Sequence, residues 1–353
     1  MMSFLKILKE KGIGNFSKTK PKTKKISINR KNNLDLVWLE ISPNCNLNCL
    51  HCSNSSVIKK FTSIGIEKNV WETVIKELKS VNCNKIQFTG GEPLNKRTLL
   101  KRIILFSREI GLENLEVYTN LTLSTSSDLE FFVKNNISIA TSVYGHNKNI
   151  HDKITRINGS FEKTISSIKE VLALGIQCRV AVVGMKYNEN YISKTISFLK
   201  NIGVSSINFD YVRPAGRGCN LSLLSKKISN QQKIKESSFE KCSLEMFKIN
   251  KNGHNCFSRY LCITYNGNVI PCIMEREIIY GNVKYISLKE IFTKEKYKYV
   301  SNLSKDFIEI CSKCEYRYCC FDCRVMARNF SLNKNLLAKP MNCSYNPIMG
   351  IWK

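Results

Sequence analysis

Six times between Leu34 and Val212 an apolar run of strand length alternates with a stretch of helical spacing. That alternation restricts the chain to a parallel sheet with helices packed on it. The strands read as Leu36–Ile41, Lys85–Thr89, Leu115–Thr119, Ile137–Val143, Ile176–Gly184 and Ser206–Val212. Ile66, Val70, Trp71, Val74, Ile75, Leu78 and Val81 form one helical face, and Leu99, Leu100, Ile103, Ile104 and Phe106 another. Helices are also expected near Ser126–Asn135, over Phe161–Leu174 and over Asn190–Ile202. Such a sheet is curled or doubly wound. Gly-rich Pro214–Gly218 breaks the pattern, a polar and helical stretch runs to Gly253, and a cysteine-rich remainder follows. No internal repeat is visible.

With 353 residues, 43% apolar and 24% charged, the chain suits one large domain plus a smaller one. No apolar run reaches membrane-spanning length, so no membrane partner is expected. Phe4, Leu5, Ile7 and Leu8 lie among lysines without the apolar core or cleavage site of a signal peptide, which predicts a cytoplasmic protein. Residues 1–33 hold ten Lys/Arg against one acid, Glu10, and read as a basic N-terminal arm. Sixteen cysteines in such a chain argue for metal rather than disulfides, and eleven of them fall into two dense groups. Iron–sulfur centres of that kind are oxygen-labile, which predicts an anaerobic or microaerobic host. The formal charge is +27. Clusters carrying about −2 on four thiolates and about −1 on three would bring it near +22. That charge requires no nucleic-acid partner and equally suits an acidic peptide.

The first cysteine group is Cys45, Cys49 and Cys52, in the spacing C-x3-C-x2-C directly after the first strand. Three thiolates are one short of saturating a four-iron cluster, which leaves one iron open to bind something else. A zinc loop would want a fourth ligand; His51 is the candidate, crowded by its flanking cysteines. After the second strand comes Thr89-Gly90-Gly91-Glu92-Pro93, which by itself is a turn.

Together these two motifs resemble the radical S-adenosylmethionine (radical SAM) enzymes. The resemblance implies a partial (β/α)6 TIM-like barrel, an α/β fold. It implies a 4Fe-4S cluster on Cys45, Cys49 and Cys52 whose open iron chelates the methionine moiety of S-adenosyl-L-methionine. One electron then cleaves the cofactor to a 5′-deoxyadenosyl radical, which takes hydrogen from the substrate. A reductant such as ferredoxin or flavodoxin is implied with it. Gly90, Gly91, Glu92 and Pro93 match the motif that holds the methionine amino group, with Glu92 accepting from the ammonium. Asn120, in Tyr118-Thr119-Asn120, matches a position lining the cofactor pocket. Ser142 resembles a serine that contacts ribose or carboxylate, and Arg156 would pair the carboxylate. Met185 and Asn188 are placed against adenine, whereas His151-Asp152 reads as structural.

The C-terminal hundred residues hold Cys256-x5-Cys262-x9-Cys272, then Cys311-x2-Cys314-x5-Cys320-x2-Cys323, then Cys343. Eight thiols suffice for two saturated four-iron clusters, or for zinc knuckles. Joined to this core, the array resembles the SPASM domain, a small C-terminal cysteine-rich iron–sulfur domain with two auxiliary 4Fe-4S clusters. Cys256-x10-Gly267-x4-Cys272 fits its pattern. The second block has x2 where the pattern has x3, which leaves Cys319 open beside the favoured Cys320. The resemblance implies that Cys256, Cys262, Cys272 and Cys323 hold the nearer cluster, and Cys311, Cys314, Cys320 and Cys343 the farther one. Cys83, Cys178, Cys219, Cys242 and Cys319 are then left over as core or incidental residues. The expected domains are the arm 1–33, the core 34–215, a linker 216–253 and the SPASM domain 254–353.

SPASM-bearing radical SAM enzymes mostly modify peptides or proteins, which implies a peptide or protein substrate. Maturation of a ribosomally made peptide, by thioether or carbon–carbon crosslink or by epimerisation, is one subclass. Formylglycine formation by anaerobic sulfatase maturases is another, and those carry an Asp directly after the third SPASM cysteine. Ile273 stands there and cannot take a proton. Glu275 is the nearest carboxylate, on the same face if the segment is extended. The arm is too short for a winged-helix leader-binding domain, so recognition would fall to a separate leader-binding partner, the arm or the barrel rim. An iron–sulfur redox sensor or an RNA-binding protein is the reading from another class.

Overall fold

The computed structural model describes residues 2–12, 34–58, 65–225 and 242–352. Its main sheet has nine strands in the order β6-β5-β4-β3-β2-β1-β7-β8-β9. The first six are β1 (Leu36–Ser42), β2 (Ile86–Gly90), β3 (Leu115–Tyr118), β4 (Ser138–Val143), β5 (Cys178–Gly184) and β6 (Ser206–Tyr211), all parallel. The expected α/β partial barrel is therefore the fold, with each strand within a residue or two of its expected bounds.

The helices that return the chain are α2 (Lys68–Ser80), α3 (Arg97–Glu109), α4 (Ser126–Lys134), α5 (Lys148–Thr155), α6 (Ser160–Ala173) and α7 (Ile192–Asn201). Helix α5 was not expected, because its turn-rich entry, Gly145-His146-Asn147, hides it. Asn147 caps it by accepting from the Ile150 backbone N–H (3.2 Å).

The strands sort their side chains by face. Val37, Leu39, Phe88, Val117, Ile139, Val180 and Val182 are fully buried and join Trp71, Ile75, Leu100, Phe132 and Ile168 of the helices in one core. The opposite, concave face is polar, because cross-strand partners share a face. Glu40, Gln87, Glu116, Tyr118, Ser142 and Arg179 line it. At its base Lys85 (2.8 Å) and Arg179 (2.9 Å) pair with buried Glu116, which Gln87 also contacts. These cations and hydrogen bonds overcome burial and hold the Glu116 carboxyl below its usual range.

The cysteine-rich region does not stand apart from the barrel. Strand β7 (Tyr260–Ile263) pairs in parallel with β1, and β8 (Asn268–Ile270) and β9 (Gly281–Asn282) extend the sheet by antiparallel pairing. The remaining helices among the described residues are α8 (Leu244–Asn252), α9 (Leu288–Thr293), α10 (Glu295–Ser301) and α11 (Arg324–Phe330), and β10 (Tyr345–Asn346) pairs with β11 (Ile351–Trp352). Most of the basic arm, and residues 226–241 of the linker, lie outside the described residues. The start of the arm is a helix, α1 (Met2–Glu10), whose Leu8 packs against Cys242 and Cys319. No described helix is long and apolar enough to cross a membrane.

Asp128 shows how one charge secures a helix start. It completes a capping box with Thr125 and pairs with Arg97 (2.9 Å) and Lys101 (2.8 Å). Burial disfavours its charge, but donors from Lys101, Thr125 and Arg97 outweigh that and lower its pKa. A depressed carboxylate stabilises above its unfolded pKa and loses that contribution as pH falls through the folded one. Asp128→Asn should therefore cost about 1–2 kcal/mol at pH 7. In anaerobic urea denaturation at stepped pH, the gap to wild type should close only below about pH 4.

Candidate active site

The first three cysteines sit in the loop after β1, at the C-terminal ends of the strands, and four neighbouring segments hold that loop. Helix α5 receives it from below: Asn48 and Leu50 donate backbone N–H to the carbonyls of Thr155 (3.0 Å) and Ile154 (2.9 Å). The end of β2 packs against it without side chains. A Cβ on Gly90 would lie 2.3 Å from the Ser42 carbonyl oxygen, and one on Gly91 2.4 Å from that of Asn44. Gly90 also has φ +137°, which only glycine adopts freely. These glycines are therefore required by backbone packing on the cysteine loop.

Asn120, after β3, donates to Asn46 Oδ1 (2.9 Å) and Cys45 Sγ (3.7 Å) and accepts from Thr122 Oγ1 (2.6 Å). Asn46 donates in turn to Thr122 Oγ1 (2.6 Å). After β6, Arg217 donates from Nε to the Cys49 carbonyl (2.8 Å) and from Nη1 to the Ser56 carbonyl (2.6 Å). Its own N–H reaches the Cys52 carbonyl (3.0 Å), and a Cβ on Gly216 would collide with Ser53 O at 2.3 Å. Pro214–Gly218, which breaks the strand–helix pattern, thus closes over the cysteine loop.

Glu92 has a structural task in the fold. Its carboxylate is fully buried: Oε1 accepts from Thr119 Oγ1 (2.7 Å) and Leu94 N (3.0 Å), Oε2 from Asn120 N (2.8 Å). It caps the 3-10 turn beginning at Pro93 and ties β2 to β3. Burial raises its pKa to about 7.

Ser142 stands on the concave face, its Oγ 2.7 Å from Tyr118 Oη. Arg156 does not join it. The residue follows the buried face of α5 at a left-handed cap (φ 60°), exposed in an outer hollow beside Lys148, Lys153 and Glu162. Asn188 is consumed by the fold, accepting from Met185 N (2.7 Å) and donating to the Tyr144 (2.8 Å) and Val183 (2.9 Å) carbonyls. Met185 is fully buried among Ile154, Val212 and Leu223. His151 and Asp152 are structural as read: His151 Nδ1 accepts from Tyr144 N (3.3 Å), and Asp152 caps α6 through Gly159 N and Phe161 N (both 2.8 Å).

The C-terminal thiols gather in two places. Burial, then the neighbouring Cys272 and Cys323, push Cys256 up to about 12, and burial with Cys323 beside it pushes Cys272 to about 11. Cys262, on β7, feels Cys272 but lies first against Glu40. Cys320 acts on both Cys311 and Cys314, and Cys343 on Cys314; with burial these push Cys311 to about 12 and Cys314 to about 11. Cys319 turns the other way, into a buried contact with Cys242. Between the two sets lie Lys305, Arg324, Asp322 and His254, all buried, with Asp322 paired to both cations. Arg276 reaches from the third-cysteine turn into the barrel, bonded to Glu40 (3.0 Å) and Asn54, and Asn54 donates to the Gly90 carbonyl (2.9 Å).

Two family models match the chain: the radical SAM superfamily over residues 39–199, and the SPASM iron–sulfur cluster-binding domain over 256–315. The chain is a radical SAM protein with a SPASM domain. It is 23% identical to the AdoMet-dependent heme synthase of Methanosarcina barkeri over 348 residues, covering 88% of this chain and 97% of that one. It is 25% identical to the antilisterial bacteriocin subtilosin biosynthesis protein AlbA of Bacillus subtilis over 325 residues, 87% of this chain and 70% of that one. Among solved structures, native anSMEcpe with bound AdoMet and Cp18Cys peptide shares the fold at TM-score 0.63 and 19% identity. That match covers 87% of this chain and 92% of that one.

A radical SAM core and a SPASM domain are sites for iron–sulfur clusters and AdoMet, and the residues present fit them. In the core loop, burial and then neighbouring anions, Glu92 and Cys52, push Cys45 to about 12. Burial, Cys45 and Cys52 push Cys49 up as well. A cationic metal core is what would relieve thiolates that repel one another. Arg217 Nη2 is buried without a partner among the described residues, a spare donor beside that charge. His51 is half-buried, and burial of its ring followed by the nearby Arg217 lowers its pKa to about 4.

Spacing does not single out Asn46, Thr122, Arg213, Arg217 or Arg276 as site residues. The available signal is local: an arginine between two glycines after the sixth strand, and an arginine four residues past the third SPASM cysteine. Arg217→Leu removes the guanidinium's donors to the Cys49 and Ser56 carbonyls. It should lose about four irons relative to wild type by colorimetric iron assay, while Arg217→Lys keeps more of them.

Proposed function

We propose that this protein is a radical SAM maturase acting on a peptide or protein, through one AdoMet-binding cluster on Cys45, Cys49 and Cys52 and two auxiliary clusters. The observation that carries the reading is the convergence of Gly90–Gly91, Asn120 and Arg217 on the three-cysteine loop, with the second thiol array tied to the same barrel mouth through Arg276 and Asn54. When bound there, the cluster and AdoMet supply a 5′-deoxyadenosyl radical. The chain's own residues hold the loop, orient the pocket wall through Asn120 and Ser142, and keep His51 neutral.

Grouping of the thiols supports Cys256, Cys262, Cys272 and Cys323 for the near cluster, and Cys311, Cys314, Cys320 and Cys343 for the far one. Cys320 is favoured over Cys319 because Cys319 faces Cys242. Access supports a chain-like substrate: Ser206, Asn208 and Phe209 of the terminal strand β6 are exposed, so the barrel is not sealed on that side. Similarity to a bacteriocin biosynthesis protein and to a fold that binds a peptide points the same way. Ferredoxin or flavodoxin as reductant and a separate leader-binding partner complete the proposal.

Formylglycine formation is disfavoured by Glu275. The segment after Cys272 is a turn, with Glu275 N bonded to Cys272 O (2.9 Å), not an extended strand. Its carboxylate is fully buried and paired with Arg328 (2.9 Å). Similarity to the heme synthase favours a second reading, a tetrapyrrole substrate.

Anaerobic wild type should convert AdoMet to 5′-deoxyadenosine and methionine by liquid chromatography, and the Cys45/Cys49/Cys52 triple alanine variant should not. Undiminished cleavage by the variant would falsify the assignment. On a cognate precursor peptide, mass spectrometry should find a loss of two hydrogens or a deuteron gained from heavy water. A sulfatase-type peptide should gain no hydrazide-reactive aldehyde, and its robust labelling would make Glu275 or another group the missing base. Turnover of a tetrapyrrole, with none of any peptide, would move the protein to the heme synthase class.

A further inference from the structure

The barrel and the near thiol set meet at Arg213, two residues past the end of β6. Its Nη1 donates to Cys323 Sγ (3.9 Å), and its Nε donates to Asp210 Oδ2 (2.9 Å). Asp210 pairs in register with Val183, which places it on the concave face of the barrel. The guanidinium therefore spans from the barrel wall to a sulfur of the SPASM array. Its position is fixed from behind: a Cβ on Gly218 would lie 2.4 Å from the Arg213 carbonyl oxygen, and Asn329 of α11 donates to the next carbonyl, Pro214. Cys323, Cys272 and Cys256 all feel this positive charge, and Asp210 holds it in place.

We propose that Arg213 is a positioning residue that sets the reduction potential of the near auxiliary cluster, with Asp210 as its counterweight. The proposal rests on the reading that Cys256, Cys262, Cys272 and Cys323 hold that cluster. Reduction there adds one electron and one negative charge, with no other change of atoms. An N–H donor to a ligating sulfur and a cation beside it favour the more negative state and raise the potential. Asp210 opposes this by drawing the guanidinium's charge away from the sulfur. The two side chains thus act on one couple with opposite sign. The same pair joins β6 to the near set, so a substrate in the barrel faces a centre whose appetite for an electron is set by the barrel itself.

The test is an anaerobic redox titration of the holoprotein followed by electron paramagnetic resonance, with iron counted in every sample. Arg213→Gln should lower the midpoint of one auxiliary signal, Asp210→Asn should raise the same midpoint, and Arg213→Lys should fall between Arg213→Gln and wild type. Iron should stay at about twelve per chain throughout. An unmoved midpoint in Arg213→Gln, or shifts of the same sign in Arg213→Gln and Asp210→Asn, would overturn the proposal. Loss of about four irons from both Arg213→Gln and Arg213→Lys would overturn it too, and make Arg213 a folding contact. Wild type without auxiliary iron would remove the ligand reading itself, and is seen in the unmutated protein alone.

Discussion

Three thiols confined to one eight-residue loop repel one another once ionised, and the surrounding structure is built to keep them together. Cys45 and Cys49 lie in a low-dielectric site where burial first, and neighbouring anions after it, oppose their charge. The fold answers mostly with backbone. Carbonyls of the loop take donors from Arg217, glycines of β2 and of the post-β6 turn let main chain lie against main chain, and Asn46, Asn120 and Thr122 lock the remaining edge. These contacts are made by the chain's own groups, so folding fixes the path of the loop.

The second dependence runs between the two halves. Arg276 carries the third-cysteine turn to Glu40 and Asn54, and Asn54 leads on to Gly90; Arg213 does the reverse, reaching from the barrel to Cys323. Each arginine is matched with a carboxylate of the barrel wall, so neither leaves an uncompensated charge in the interior. The far thiol set has a different surrounding, with Lys305 and Arg324 against Asp322. The two sets therefore sit in unlike electrostatic environments, although the same short segment, Cys320-Phe321-Asp322-Cys323, connects them.

Much of the fold was legible because apolar strands and amphipathic helices bury one face each, and that pattern survives in linear sequence. Helix α5 was not, since its buried face is only His151, Ile154 and Thr155 and its entry resembles a loop. The pairing of β7 with β1 was not, because long-range pairing leaves no periodic trace. At the site, cysteine spacing marks two dense groups of thiols, and the resemblance rather than the spacing divides the second between two clusters. It could not tell Cys319 from Cys320, because adjacent residues differ only in direction, and direction is decided by what Cys242 occupies. Glu92 and Arg156 read as ligand contacts because a charged residue beside a ligand motif invites that reading; in the structure Glu92 also caps a turn, and Arg156 ends a helix in solvent. Arg217 was missed because its work is done on carbonyls, which every sequence has.

The pairing of β1 with β7 has a consequence for how the protein comes into being. The first strand of the barrel and its outer neighbour are separated by more than two hundred residues of chain. During synthesis the N-terminal half can fold as it emerges, but the outer edge of β1 stays bare until the C-terminal region has left the ribosome. A bare edge is a template for pairing with other chains. The cell thus has an interval in which the cysteine loop is already framed by β2, β3 and α5 while the neighbouring strand is still missing.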